Sequence, residues 1–89
     1  MITVHIPPDL AAKFHATAEF AVSAATLGEM VAQLDAQHPG LHHWLVEVDG
    51  RFRPHLAVFV SGDKLAQADG NSPLADGADV WVIRAVSGG

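Results

Sequence analysis

The chain has 89 residues, 49% of them hydrophobic, with ten Asp and Glu against five Lys and Arg, a net charge of −5 and no cysteine. That length suits one small domain, and the acidic balance argues against nucleic acid, which selects basic surfaces. Without cysteine this chain has no disulfide framework, thiolate metal site or cysteine nucleophile. Apolar runs reach about six residues, far short of the ~20 that a bilayer span needs. The N-terminus lacks the basic stretch of a signal peptide, so a cytoplasmic protein without membrane contact is expected.

Ile2, Val4 and Ile6 alternate with Thr3 and His5, which predicts a strand with one buried face, ended by Pro7-Pro8. A loop or partial helical turn follows from Asp9 to His15. "TAEFAVSA" at 17–24 reads as a second strand, with Phe20 and Val22 on one face and Glu19 and Ala21 on the other. "TLGE" at 26–29 is a capping box, in which Thr26 accepts from the Glu29 N–H and Glu29 reaches back. Leu27, Met30, Val31 and Leu34 then repeat at helical spacing until Pro39-Gly40 stops the run. Leu41, Trp44, Leu45 and Val48 predict a short second helix or irregular turn.

"HLAVFV" at 55–60 is a strand, and Ser61-Gly62-Asp63 a turn, with a brief edge strand near Lys64 to Ala66. Asp69-Gly70 and Asp76-Gly77 mark turns before the last strand, "DVWVIR" at 79–84. Strands and helices do not alternate regularly, so the class is α+β rather than doubly wound. Alternation also predicts a docking face. With Leu56, Val58, Val60, Val80 and Val82 turned to the core, Phe59, Trp81 and Ile83 come out together on the opposite side. An exposed apolar patch with aromatic members suits a protein interface.

Other chemistry finds little support. His38 and His42 are separated by Pro39-Gly40, and His42-His43 diverge, so the six histidines do not form a metal site and none is expected. The acidic stretch at 69–79 lacks the terminal glutamate of a calcium loop. There is no phosphate-binding glycine loop, so no cofactor is expected on this chain and any ATP belongs to a partner.

"PLADGADVWVIRAVSGG" at 73–89 resembles the C-terminal signature of the MoaD/ThiS sulfur-carrier family, and the order of elements is similar to the ubiquitin-like β-grasp fold. "TLGEMVAQLDAQHPGL" resembles that family's first helix and "FRPHLAVFVSGD" its central strand and turn. The resemblance implies a mixed four- to five-stranded sheet on one main helix with a second short helix. It divides the chain into a domain at 1–84 and a flexible tail at 85–89.

It also implies a carrier rather than an enzyme. An E1-like adenylating and sulfurtransferase partner activates the Gly89 carboxyl with ATP, giving a thiocarboxylate. A second protein takes the sulfur for molybdopterin, cysteine or another sulfur metabolite. In the molybdopterin branch the chain is the non-catalytic small subunit beside a sulfur-accepting synthase subunit; in the cysteine branch a metalloprotease releases the product. Family members present a hydrophobic sheet face to the adenylating partner, which agrees with partner binding by Phe59, Trp81 and Ile83; Arg84, at the end of the same strand, is a further partner-binding candidate.

Residues 85–89 span at most roughly 16–18 Å when extended, enough to thread a channel. Gly88 and Gly89 let backbone lie close to a nucleotide, while Val86 and Ser87 keep the tail slim. Arg84 stands where the family commonly has proline, and either grips an acidic partner or is solvated. The alternatives are a ubiquitin-like modifier joined through Gly89 to lysines, and an interaction module whose glycines are incidental.

Overall fold

The structure is a computed structural model describing residues 1–85; Val86, Ser87, Gly88 and Gly89 lie outside the described residues. Eight elements follow in chain order: β1 (Ile2–His5), α1 (Pro8–Lys13), β2 (Glu19–Val22), α2 (Leu27–Gln37), α3 (His42–Leu45), β3 (Leu56–Val60), β4 (Asp63–Lys64) and β5 (Asp79–Arg84). The strands form one mixed sheet in the order β2-β1-β5-β3-β4. The β1–β5 pair is parallel and the others are antiparallel.

The first and last strands therefore meet at the sheet centre, with Val4 opposite Val80 and His5 opposite Trp81. Ile2, Val4, Val58, Val80 and Val82 point to one side, where Leu27, Met30, Val31 and Leu34 of α2 join them in a single buried cluster. Each such apolar side chain, taken from water, contributes roughly 1.5–3 kcal/mol. Leu56 and Val60 lie on the same side, half-buried against the cluster.

The segment expected as a loop or partial turn is a six-residue helix, α1, in addition to the two helices predicted. Pro8 occupies its first turn, where a missing N–H costs nothing, and Leu10 and Ala11 seal the core edge. At the head of α2, Thr26 Oγ1 accepts from the Glu29 N–H at 3.2 Å. Glu29 reaches back as expected, but to the Ala25 N–H at 2.9 Å. Thr26 itself is in a bridge with Pro73. Asp35 closes the other end of α2: its Oδ1 accepts from the Gly40 and His42 N–H groups at 3.0 and 3.2 Å. The same oxygen lies 2.6 Å from the His42 ring, and these bonds hold the Asp35 carboxyl below the usual aspartate range, the ring contact foremost.

Ser61 and Gly62 both have positive φ, 48° and 90°, between the paired residues Val60 and Asp63. This is the backbone a two-residue hairpin needs to match strand twist. Serine tolerates it here while its N–H donates to the Asp79 carbonyl at 2.7 Å. The edge strand begins at Asp63, one residue before the position expected.

The stretch between β4 and β5 crosses the head of α2. The Leu27 N–H donates to the Ser72 carbonyl at 2.9 Å and the Gly28 N–H to the Gly70 carbonyl at 3.1 Å. With the Thr26 cap, the first three helical N–H groups are satisfied. This contact leaves no room for a side chain: a Cβ on Gly28 would sit 2.8 Å from the Gly70 carbonyl oxygen. Alanine ordinarily stabilises a helix over glycine by about 1 kcal/mol. At this position Gly28→Ala is expected to do the reverse, lowering unfolding free energy in urea by about 1–3 kcal/mol as the loop is pushed away.

Candidate functional site

The sheet side opposite α2 carries side chains from all five strands. In register across it lie Glu19, His5, Trp81, Phe59 and Lys64, one row running from β2 to β4. Ile83 lies opposite Ala57 in the next row of β5 and β3. Trp81 and Ile83 are 45% and 39% exposed, large values for apolar side chains in strands. Phe59 is half-buried, and Ala57, a single methyl in the same face, is buried. The face is therefore dominated by Trp81 and Ile83, with Phe59 as a partly covered neighbour.

Trp81 is fixed by two groups. Its indole Nε1–H donates to Asp79 Oδ2 at 2.9 Å. Its ring stacks on His5 with centroids 3.7 Å apart and planes 9° from parallel. His5 Nε2 lies 2.8 Å from Asp79 Oδ1, so one carboxylate holds both rings. Glu19 is 3.5 Å from the other His5 nitrogen. An indole held in this way loses little rotamer freedom when a partner covers it, which favours binding. Beside the stack lies an apolar cleft of about 420 Å³, whose lining includes Ile6, Pro8, Ala18 and Ile83.

The indole hydrogen bond, and next to it the His5 contact, hold the Asp79 carboxyl below the ordinary aspartate value. Folding then favours the ionised form. The stabilisation is present above the unfolded-state value of about 3.9 and disappears as pH falls through the lower folded value.

Arg84 ends β5 and forms an ion pair with Asp9 of α1 at 2.5 Å. Both side chains are about half exposed, so the pair is a weak tether. It holds the Asp9 carboxyl below its ordinary value, chiefly through the hydrogen bond. The backbone ladder runs one residue beyond β5, since the Ala85 N–H donates to the His55 carbonyl at 2.8 Å. The expected reactive Gly89 and the tail residues Gly88, Ser87 and Val86 lie outside the described residues.

Two residues that sequence reasoning did not assign to this face are His5 and Asp79. Both carry the outward phase of alternation in their own strands. Asp79 shares Trp81's face through alternation within β5; what brings His5 to them is the parallel β1–β5 register, which no local pattern encodes. His5 and His42 are each held by an aspartate. Among the described residues, no group of three or more His, Asp or Glu could hold a metal ion. No described helix is long and apolar enough to cross a membrane.

Comparison with known proteins places the chain. Residues 10–89 match the ThiS family. Small archaeal modifier protein 3 of Haloferax volcanii is 38% identical over 66 residues, covering 73% of this chain and 71% of that protein. The chain belongs to the ThiS family. Among solved structures, CysO in the BexX/CysO complex of Amycolatopsis orientalis superposes with a TM-score of 0.85 at 22% identity, over 100% of both chains. CysO of Mycobacterium tuberculosis gives 0.84 at 24% identity, over 97% of this chain and 100% of that one. These likenesses define a ubiquitin-like β-grasp fold, and the family is one of small carrier and modifier proteins.

The clamp on Trp81 makes a spectroscopic prediction. The indole Nε1–H resonance of Trp81 is expected to move with a midpoint below the ordinary aspartate value in an NMR pH titration, and Asp79→Asn is expected to abolish that transition. A midpoint at or above the ordinary value would contradict the hydrogen-bonded clamp.

Proposed function

We propose that the protein is a sulfur carrier whose Gly89 carboxyl is activated by an E1-like partner. The carboxylate attacks the α-phosphorus of ATP, forming an acyl adenylate and releasing pyrophosphate. A sulfur nucleophile then displaces AMP, leaving a thiocarboxylate for a sulfur-accepting protein of molybdopterin, cysteine or related metabolism. The domain supplies no catalytic group in this scheme. It presents its end to the partner and identifies itself through the outer face of the sheet.

The observation that carries this reading is the family match, which continues through the terminal "SGG". The site supports it in two ways. Trp81 and Ile83 form an exposed, pre-ordered apolar patch on the same strand that leads to the tail. That strand is bonded to neighbours on both sides, so a partner gripping the patch has a fixed reference for the residues that follow.

A second reading, conjugation of Gly89 to lysines as a modifier, is favoured by the likeness to small archaeal modifier protein 3. The two share the adenylation step and differ in the acceptor.

ATP–pyrophosphate exchange with a candidate E1-like enzyme tests the shared step. Deleting Gly88 and Gly89 is expected to abolish exchange while leaving the circular dichroism spectrum and melting transition unchanged. Trp81→Glu is expected to keep the fold and raise the half-saturating carrier concentration about tenfold or more, as loss of an aromatic anchor does. Full exchange by the truncated chain would overturn the proposal.

A further inference from the structure

A second cleft, of about 400 Å³, opens near the end of β5, with Pro7 and Arg84 shared with the cleft beside Trp81. Leu10 and Leu56 give it an apolar base, and Trp44, 47% exposed, stands at its side. The Lys13 ammonium lies 5.0 Å from the Trp44 ring centroid, a cation–π contact that braces the indole. Arg53, His43 and His55 complete the described lining, and among the described residues no acidic one lines it.

This concentration of cations is unusual for the molecule. The chain has only five Lys and Arg against ten Asp and Glu, yet Lys13, Arg53 and Arg84 all gather at this end. Arg84 is engaged by Asp9. Arg53 is engaged only through Nε, which donates to the His43 carbonyl at 2.7 Å; among the described residues its two terminal amino groups have no hydrogen-bond partner. Imidazoles at His43 and His55 can donate N–H bonds in either charge state. A half-open guanidinium beside an exposed indole suits a carboxylate carried on an apolar chain.

We propose that this cleft receives an acidic peptide segment of the protein that handles the carrier's C-terminal end, with a Glu or Asp carboxylate on Arg53 and a neighbouring apolar side chain against Trp44. The proposal rests on the carrier reading for the identity of the partner. A protein segment is favoured over a free anion because the cleft is apolar at its base and is wide enough for more than one side chain. It also borders the point where the Ala85 N–H bonds the His55 carbonyl, so a protein reaching past residue 85 passes its rim.

The test is an NMR titration of the isotope-labelled full chain with acetyl-Leu-Glu-Asp-Leu-amide and with its neutral counterpart acetyl-Leu-Gln-Asn-Leu-amide. The acidic peptide is expected to shift the Trp44 indole and Arg53 Nε–H resonances and to bind about two- to fivefold tighter than the neutral one, the size of one partly exposed charge pair. Arg53→Gln keeps a donor for the His43 carbonyl and is expected to erase the difference. His55→Ala, an exposed site, is expected to weaken the acidic peptide without affecting the melting transition. Equal affinity for both peptides, no shifts at millimolar peptide, shifts confined to the Trp81 face, or the same shifts from inorganic sulfate would each overturn the assignment. No ATP or activating enzyme is present, so failure here leaves activation at Gly89 standing, and failure of activation leaves this binding measurable.

Discussion

The parallel pairing of the first strand with the last is the constraint on which the rest of the structure depends. Parallel neighbours cannot be joined by a tight turn; they require a long crossover. Here everything between His5 and Asp79 serves as that crossover, including the main helix and the β3–β4 hairpin. The result is that β5 lies inside the sheet, bonded to β1 on one side and to β3 on the other. An interior strand has no free edge to fray, so its exit is fixed in position. The same register places His5 and Trp81 side by side and allows one aspartate to hold both rings.

A second constraint supports the first. The stretch before β5 would be a long irregular connection if it had no partner. Instead its carbonyls at Gly70 and Ser72 take the N–H groups at the head of α2, and the Leu74 N–H returns to the Ala25 carbonyl. Helix and loop thereby satisfy each other's backbone groups, and α2 is held over the apolar side of the sheet. That leaves the opposite side uncovered over Trp81 and Ile83. An uncovered apolar face is unfavourable in water for an isolated domain. Under the proposed function it is the surface by which a partner would distinguish this chain.

Much of this was legible in the sequence because it is local. Alternation at Ile2, Val4 and Ile6, helical spacing at Leu27, Met30, Val31 and Leu34, and the Thr26–Glu29 cap each announce their element within a few residues. Alternation in β5 also put Trp81 and Ile83 on the outer side. Long-range terms were not legible. The addition of His5 to the Asp79–Trp81 pair depends on strand register, and the Gly28–Gly70 approach on how a loop folds back. Asp9 to His15 read as a loop or partial helical turn because a short helix beginning at proline has too few residues to show a period. Phe59 read as fully outward because alternation gives the side of a sheet and not the bulk of neighbours; in the structure it is half-buried between the Trp81 and Lys64 positions. The Trp44 and Arg53 cleft was invisible for a related reason, since its members come from helix, loop and strand ends far apart in the chain.

In the proposed function the domain is a scaffold with two recognition features next to one strand end, and the chemistry belongs to the carboxyl of the last residue. The measurement that tests this claim most directly is the mass of the C-terminal fragment after the full chain is incubated with an E1-like enzyme, ATP and a sulfur donor. The account predicts replacement of one oxygen by one sulfur, confined to the fragment that carries Gly89. An unaltered C-terminal fragment, with sulfur found on a side chain elsewhere in the domain, would contradict it.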